Sequence, residues 1–242
     1  FGPLVKPIIT PRFVPSCTSE LMTGLAKLAK EYDVPVQSHL SENHGEIDWV
    51  ASLHPESSNY TDVYYEHHLM GTVPTVMAHC IHLSDVEMDR MAETQTMVSH
   101  CPYSNVNLSS GIAPIRKLIE RNIPIGLGSD ISGGHIVSMA KVLTEAIGLS
   151  KMKWAEVDPN YAPLTLSEAF YMATKGGGQF FGHVGSFEKG YELDALIIDD
   201  TSLFDLNERS LEERLERWLY VGDDRHIIER YVAGRVVPSP KG

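Results

Sequence analysis

Short runs of apolar and β-branched residues alternate along most of the chain with segments in which apolar residues recur at helical spacing. The runs predict strands at 7–13, 35–39, 75–79, 96–100 and 123–128, and the helical segments predict helices at 20–32, 46–53, 84–93, 115–121 and 138–152. Leu21, Leu25 and Leu28 lie on one face of the first helix. Strands that alternate with helices in this way are typical of a parallel sheet, so we predict an α/β fold.

The regular alternation stops near residue 178. Thr165 and Glu168 form a capping box, which predicts a helix from 165 to 174 that ends in the glycine run 176–178. After it come only short strands, at 195–198 and 228–237, separated by a charged helix at 210–218. We interpret the chain from residue 185 onward as a small appended element and not as another βα repeat.

Composition narrows the possible partners. The 242 residues carry 20 Lys and Arg against 32 Asp and Glu, a formal charge of -12, which argues against a general nucleic-acid binder. No stretch approaches the roughly 20 apolar residues of a membrane-spanning helix. The three cysteines are widely spaced and form no CxxC, which favours free thiols and a reducing, cytoplasmic location.

Polar residues follow the apolar part of each of the first five predicted strands. In α/β barrels the working residues stand at the carboxyl ends of the strands. A single histidine in such a place is more often a core residue than a ligand, but three histidines and an aspartate at the same end of successive strands indicate a common site. The residues concerned are Arg12, Phe13, His39, His79, His100 and Asp130.

His39 and Glu42 have the residue types and the spacing for metal-assisted acid–base chemistry. A neutral imidazole binds divalent metals, and a carboxylate three residues later can reach over the same site as a general base. Asp130 can complete a metal shell, and a helix N-cap is its alternative role. A phosphate loop of the GxGxxG type is excluded because residue 131 is isoleucine.

Six segments together resemble the amidohydrolase superfamily and, within it, the guanine deaminases. They are TPRF at 10–13, SHLSEN at 38–43, VMAH at 76–79, HCPYSN at 100–105, GLGSD at 126–130 and YVGDDR at 220–225. The resemblance implies a TIM (β/α)8 barrel of which residues 1–184 hold strands 4 to 8. It implies that residues 185–242 hold the C-terminal strands and helix of a small β-sandwich domain.

The resemblance also implies a role for each site residue in the hydrolytic deamination of guanine to xanthine and ammonia. His39 and Asp130 are implied zinc ligands. Glu42 is the implied proton shuttle, His79 hydrogen-bonds the attacking water, and Asp130 also contacts that water. Arg12 is implied to hold the purine carbonyl and Phe13 to pack on the ring face, with a plain core aromatic as the alternative for Phe13. His100 is assigned an architectural role.

Two zinc ligands of the superfamily pattern have no counterpart in the chain. In the superfamily they come from an HxH at the end of the first barrel strand, and this sequence contains no HxH. Two further histidine ligands are therefore expected upstream of residue 1. The chain opens inside an apolar run without an initiator methionine, so it is expected to be the C-terminal half of the enzyme. For residues 1–242 alone we expect weak zinc occupancy and negligible turnover.

The resemblance implies one Zn²⁺ per intact subunit and a small purine substrate. It also implies a homodimer that is located in the cytoplasm and acts in purine catabolism, with no nucleic-acid or membrane partner.

Two alternative functions stay open. Another deaminase or chlorohydrolase of the superfamily, acting on a different heterocycle, would keep the same metal and acid–base residues but would not need Arg12. A non-catalytic scaffold would account for the missing HxH.

Overall fold

The computed structural model describes residues 4–203 and 206–238. The first three residues, where the chain is expected to open inside an apolar run, and the last four residues lie outside these ranges. Within them, no helix has both the length and the apolar character needed to cross a membrane.

The α-helices in the described ranges are α1 (Ser19–Tyr32), α2 (His44–Leu53), α3 (Tyr60–Glu66), α4 (Asp85–Glu93), α5 (Pro102–Asn107), α6 (Ile115–Glu120), α7 (Met139–Glu156), α8 (Leu166–Tyr171) and α9 (Leu211–Val221). The strands are β1 (Val36–Leu40), β2 (Thr75–His79), β3 (Met97–His100), β4 (Ile125–Leu127), β5 (Ala195–Ile198), β6 (Ile227–Val232) and β7 (Arg235–Val236).

Strands β1 to β4 form one parallel sheet in chain order. In the register, His39 lies beside Ala78, Leu40 beside His79, and His100 beside Leu127. Helices connect successive strands, as expected for βα units. The α/β fold with a parallel sheet predicted from the alternation is therefore confirmed.

The strand predicted at 7–13 is reduced to a single parallel bridge between Ile9 and Val36. The Ile9 amide donates to the Pro35 carbonyl at 2.9 Å, and the Ile9 carbonyl accepts from Gln37 at 2.9 Å. Pro7 and Pro11 have no amide hydrogen to donate, which limits the ladder on both sides of the bridge. The segment nevertheless runs beside β1.

Helix α1 lies where the periodicity predicts it, but its leucine face is not the buried one. Met22, Ala26 and Ala29 are buried, while Leu21 is 47% and Leu28 is 44% exposed. Small alanines on the inner face let a helix approach the layer beneath it closely. The buried face of α1 is therefore not the face that the leucine spacing predicts, but a neighbouring one on the same helix.

Helices α3 and α5 are absent from the prediction. Asn59 caps α3 by accepting a hydrogen bond from the Asp62 amide, and Pro102 opens α5 at its first position. Both helices are shorter than eight residues, but α3 has Tyr60, Val63 and Tyr64 at helical spacing on its buried face, a signal that the prediction did not use. The helix predicted to end at Thr174 continues instead as a π-helical turn, Met172–Gly176.

The chain divides into two compact units, residues 1–135 and 136–242. The second unit holds the antiparallel sheet β5-β6-β7. The single strand predicted at 228–237 is in fact the hairpin β6–β7, because Ala233 (φ 48°) and Gly234 (φ 73°) both take left-handed conformations and form a two-residue turn. The domain boundary predicted at residue 184 stays a prediction.

Tyr64 ties α3 to β1 through the interior of the first unit. Its side chain is fully buried. Its hydroxyl donates to the His39 carbonyl at 2.8 Å and lies 2.6 Å from the Ser38 hydroxyl. Burial raises the pKa of Tyr64, so the phenol stays protonated and remains a donor. The backbone of β1 at His39 is therefore held by a side chain from a neighbouring helix.

Replacing Tyr64 by phenylalanine should destabilise the protein. The His39 carbonyl loses its donor in a buried place, which costs about 1–2 kcal/mol. Urea unfolding should show a lower midpoint with an unchanged slope. Tyr65→Phe is the matched control because Tyr65 is 40% exposed and Tyr65 has no hydroxyl hydrogen bond to β1. Equal stability of wild type and Tyr64→Phe would contradict this role for the hydroxyl.

His100 ends β3 as a buried neutral side chain. It is 2% exposed, and within the described ranges its Nδ1 atom has no hydrogen-bond partner. Burial, with a smaller contribution from the neighbouring charge of His79, lowers the pKa of His100 to about 3. Protonation of His100 therefore opposes folding.

The stability contributed by a neutral His100 should disappear in acid. The unfolded chain protonates near the ordinary value of 6.5 and the folded chain only near 3, so stability is complete above 6.5 and falls as the pH drops between these values. Between pH 6.5 and pH 5 the wild type should lose about 1–2 kcal/mol more than His100→Leu, because the slope approaches about 1.4 kcal/mol per pH unit only below pH 6.5. Urea unfolding at the two pH values measures this difference. The exposed His135, changed to leucine, should show no such effect.

Candidate active site

His39, His79 and Asp130 converge at the carboxyl edge of the parallel sheet. One possible ligand atom from each residue lies within 4.8 Å of the others. The His39 and His79 rings stack with centroids 5.3 Å apart. His39 comes from β1, His79 ends β2, and Asp130 follows β4 by three residues. Residues that are far apart in the sequence thus meet because parallel strands end at the same edge.

Two residues in left-handed conformations turn their side chains into this site. Strict alternation along β2 would put His79 on the face of Met77, which packs in the core. The φ of His79 is 72°, which departs from the strand conformation, and its ring instead meets His39. Asp130 has φ 45°, a conformation that aspartate tolerates better than most residues. The site therefore depends on local backbone turns as well as on the sheet.

Both histidines present the same ring atom to the site. Nδ1 of His39 donates to the Arg12 carbonyl at 2.6 Å, and Nδ1 of His79 donates to Oδ1 of Asn105 at 2.9 Å. Because carbonyl and amide oxygens only accept, each Nδ1 must carry the proton. Each Nε2 then offers a lone pair, which is the usual arrangement of metal-binding histidines.

Glu42 approaches His79 from the loop between β1 and α2. Its Oε2 lies 3.7 Å from Nε2 of His79, and Oδ2 of Asp130 lies 3.8 Å from the same nitrogen. Both distances exceed that of a hydrogen bond. The other oxygen of Glu42, Oε1, accepts from the Ser110 hydroxyl at 3.0 Å. The Glu42 carboxylate is thus hydrogen-bonded through Oε1, while its Oε2 faces His79.

Three acceptor atoms consequently face one another: Nε2 of His79, Oε2 of Glu42 and Oδ2 of Asp130. Such a cluster is unfavourable unless a positive charge lies among the acceptors. Imidazole nitrogen and carboxylate oxygen are ligands that Zn²⁺ binds. Two ligands ~2.1 Å from one ion are at most ~4.2 Å apart, so the observed spread of 4.8 Å requires only a small movement. The residues present fit a zinc ion.

Arg12 and Phe13 lie beside the site but not among its converging atoms. The Arg12 carbonyl accepts from the His39 amide at 3.2 Å, which fixes this segment against β1. The exposed Arg12 guanidinium lies 5.8 Å from the centre of the Phe13 ring. The Phe13 ring meets Trp49 edge to face, 6.1 Å between centroids. These side chains form a wall with one cationic and two aromatic groups.

Gly128 and Gly133 allow the Asp130 loop to pack closely. A Cβ atom at Gly128 would lie 2.6 Å from Oγ of Ser99, and one at Gly133 would lie 2.8 Å from Oδ2 of Asp130. A side chain at either position would therefore force the side chain of Ser99 or Asp130 to move. Asp130 caps none of the described helices, because α7 begins only after Ser138. The N-cap alternative for Asp130 is therefore wrong.

The remaining histidines and the buried cysteines stand apart from this cluster. His100 ends β3 but is not one of the three converging residues. Burial raises the pKa of Cys101 to about 12 and that of Cys80 well above its ordinary value, which keeps both thiols protonated. His135 is exposed and its ring contacts Tyr103 at 5.0 Å. Other ring contacts pair His44 with His82, His54 with His67, and His183 with Tyr191.

The GDDR segment has a structural role within the second unit. Asp223 caps the short 3₁₀-helix Asp224–His226 by accepting from the Arg225 amide. The Arg225 guanidinium pairs with the same carboxylate, which lowers the pKa of Asp223. Nδ1 of His226 lies 3.3 Å from Asp223 and Nε2 lies 3.2 Å from the Ser202 hydroxyl. Arg225 already neutralises Asp223, so this arrangement is accounted for as a local cap.

Sequence reasoning missed three residues of the site. Asn105 accepts from His79, Ser110 donates to Glu42, and Trp49 supports Phe13. Asn105 lies inside the HCPYSN segment, which therefore carried a signal for it. Ser110 and Trp49 lie outside all six segments, and the sequence offers no signal for either residue.

Comparison with known proteins agrees with this geometry. The chain is 45% identical over 243 residues to the guanine deaminase of Dictyostelium discoideum, an alignment that covers 98% of this chain and 54% of that protein. A crystal structure of guanine deaminase from C. acetobutylicum with bound guanine in the active site is 54% identical, has a TM-score of 0.94, and covers 97% of this chain and 56% of that one. The E. coli guanine deaminase structure is 36% identical with a TM-score of 0.87, covering 97% and 55%.

The chain spans about half the length of the curated relatives it matches. The match to the Amidohydrolase family covers residues 2–237, nearly all of the sequence. The resemblance carried by the six sequence segments is thereby confirmed. This protein chain belongs to the Amidohydrolase family.

Proposed function

We propose that this chain carries catalytic residues for the zinc-dependent hydrolytic deamination of guanine, in which guanine and water give xanthine and ammonia. The observation that carries the proposal is the convergence of His39, His79 and Asp130, with Glu42 beside them, at one edge of the sheet. The guanine deaminases that the chain resembles, one of them with bound guanine, support the choice of substrate.

His39 and Asp130 are the proposed zinc ligands within the chain. Nε2 of His39 is available because Nδ1 is engaged by the Arg12 carbonyl. Zinc has four ligands in most protein sites, and we propose that two histidines upstream of residue 1 supply the rest, with one ion per intact subunit. Bound zinc supplies a Lewis acid that makes water nucleophilic near neutral pH.

Glu42 is the proposed proton shuttle. Its free oxygen faces Nε2 of His79, and its second oxygen is held by Ser110. Glu42 takes a proton from the attacking water and delivers it to a ring nitrogen of guanine. The water oxygen bonds to C2. The second proton of that water, passed on by Glu42, converts the amino group to ammonia, which leaves as the C2–N bond breaks and the C2 carbonyl of xanthine forms. His79 and the carboxylate of Asp130 orient the water by hydrogen bonding.

Arg12 and Phe13 are the proposed substrate-binding residues. The guanidinium is a charge-assisted donor suited to the carbonyl of guanine. The Phe13 ring offers a face for the purine, and Trp49 at 6.1 Å limits the movement of that ring. A substrate without the carbonyl would lose the contact with Arg12.

Several finer expectations accompany this function. We propose that the segment beside β1 and the four parallel strands are strands 4 to 8 of a (β/α)8 barrel, within residues 1–184. The sheet β5-β6-β7 is proposed to belong to a small β-sandwich in residues 185–242. A homodimer, a cytoplasmic location and a place in purine catabolism remain predictions of the same resemblance.

Removal of either proposed ligand should lower the metal content. In the full-length polypeptide that carries this chain, His39→Ala and Asp130→Ala should each reduce bound zinc by at least about tenfold, because each deletes one ligand of the ion. Elemental analysis after dialysis against a weak chelator measures the loss. His135→Ala, at an exposed histidine outside the cluster, should keep wild-type zinc. A wild type that binds no zinc would favour the scaffold alternative.

Arg12→Ala should impair guanine turnover selectively. Loss of a charge-assisted hydrogen bond of about 1.5–3 kcal/mol should lower kcat/KM for guanine by roughly 10- to 100-fold. Ammonia release from guanine, adenine, cytosine and triazines measures the specificity. Arg235→Ala, at an exposed arginine in β7, is the matched control.

Ammonia release from guanine by the wild-type full-length polypeptide supports the proposal. Preferred release from another heterocycle, with no effect of Arg12→Ala, would support the alternative deaminase or chlorohydrolase. Residues 1–242 alone should show negligible turnover, and robust guanine hydrolysis by that polypeptide would contradict the need for upstream ligands.

A further inference from the structure

The segment from Asn105 to Ser110 contacts both proposed acid–base residues. It comprises the end of α5 and the turn that follows, and we call it the 105–110 clamp. Asn105 is fully buried and Ser110 is 6% exposed. Neither residue is a proposed metal ligand or a proposed substrate contact, so the mechanism above leaves their polar groups unexplained.

Asn105 determines which nitrogen of His79 carries the proton. Oδ1 of Asn105 lies 2.9 Å from Nδ1 of His79, and both side chains are at least 99% buried. An amide oxygen cannot donate, so this contact requires hydrogen on Nδ1 and leaves the lone pair on Nε2. His39 has the same arrangement through a backbone carbonyl, but the partner of His79 is a side chain that mutation can change.

Ser110 orients the other member of the pair. Its hydroxyl donates to Oε1 of Glu42 at 3.0 Å across 68 positions of the sequence. This bond leaves Oε2 as the oxygen that faces His79, 3.7 Å away. A carboxylate that already has one oxygen hydrogen-bonded loses less conformational entropy when it reaches the reactive geometry. This favours proton transfer.

The two contacts belong to one rigid element. The Ser110 amide donates to the Asn105 carbonyl at 2.8 Å. The Ser110 carbonyl in turn accepts from Nε2 of His82 at 2.8 Å, which fastens the turn to the loop after β2. The distance between the groups that hold His79 and Glu42 is therefore set by a short hydrogen-bonded turn.

We infer that Asn105 and Ser110 are positioning residues: the 105–110 clamp fixes the Nδ1–H form of His79 and the orientation of the Glu42 carboxylate. The catalytic part of this inference rests on the proposed function. The tautomer of His79 does not, because it can be observed whether or not guanine is turned over.

The tautomer can be read directly by long-range ¹H–¹⁵N correlation NMR of the full-length polypeptide labelled at histidine nitrogen. In the wild type, His79 should show a protonated Nδ1 and an unprotonated Nε2. Asn105→Leu, which keeps the size of the side chain and removes the acceptor, should give a mixture of tautomers or the reverse one. Asn105→Asp retains an acceptor at the same place and should preserve the wild-type tautomer.

Kinetics then tests the positioning role. Asn105→Leu and Ser110→Ala should each lower kcat for guanine by about 10- to 100-fold, the size typical of lost supporting contacts, with KM within about threefold of wild type. Asn105→Asp and Ser110→Thr, which keep the acceptor and the hydroxyl, should each recover most of the lost rate. Zinc content should stay unchanged in Ser110→Ala, because Ser110 contacts no proposed ligand.

Control variants, and the results that would contradict the inference, complete the test. Ser58→Ala removes an exposed hydroxyl outside the clamp and Asn160→Leu removes an exposed amide, and both variants should behave as wild type. A wild-type His79 protonated on Nε2, or unchanged tautomer and kcat in Asn105→Leu, would overturn the inference for Asn105. Full activity of Ser110→Ala would overturn it for Ser110. An inactive wild type with the expected tautomer would instead contradict the proposed function while supporting the role of Asn105.

Discussion

Parallel pairing of β1 to β4 is the constraint on which the site depends. It brings the carboxyl ends of four strands to one edge, where His39, His79 and the loop bearing Asp130 end close together. Pairing alone would not aim the side chains correctly, because strict alternation would direct His79 into the core. Left-handed conformations at His79 and Asp130 complete the arrangement. The sheet thus brings these residues close together, and the turns at its edge orient their side chains toward one site.

The helical layer holds the site in place through buried hydrogen bonds to the strands. Tyr64 of α3 donates to the backbone of β1 at His39, and Asn105 of α5 accepts from His79 at the end of β2. Each of these hydrogen bonds is made by a buried side-chain oxygen, of Tyr64 or Asn105, and such a bond is costly to break. Both short helices that the prediction left out therefore form a hydrogen bond near the end of a proposed catalytic strand.

The sequence predicts the parts of this structure that follow from repeated patterns. Four of the five predicted parallel strands form, and the helix predicted at 84–93 forms as α4, which begins with a capping box of Ser84 and Glu87. Alternation and capping are local properties, so the sequence contains them. The first strand is reduced to a bridge by its prolines, and the buried face of α1 is offset from its leucines. The prolines that limit the first strand are visible in the sequence, whereas the buried face of α1 depends on what the helix packs against, which a local pattern does not contain.

The same distinction applies to the site. Histidines at strand ends could be identified from the sequence because the strand ends themselves are predictable. Ser110 could not, since it reaches Glu42 across 68 residues from a turn that has no motif of its own. Partners of this kind are determined by the tertiary structure, and only coordinates reveal them.

The distances around Nε2 of His79 fit a cation among the acceptors better than a direct ion pair with either carboxylate. An imidazolium would donate from Nε2 and would draw a carboxylate to about 2.8 Å, whereas Glu42 and Asp130 lie 3.7 and 3.8 Å from that nitrogen. Asn105 accepts from the opposite side of the ring, so His79 needs only one proton to satisfy its observed partners. A neutral imidazole beside two carboxylates has no donor for either of them. A divalent cation bound by the proposed ligands His39 and Asp130 would compensate the carboxylates of Asp130 and Glu42, and Nε2 of His79 would then be available to accept a hydrogen bond from water.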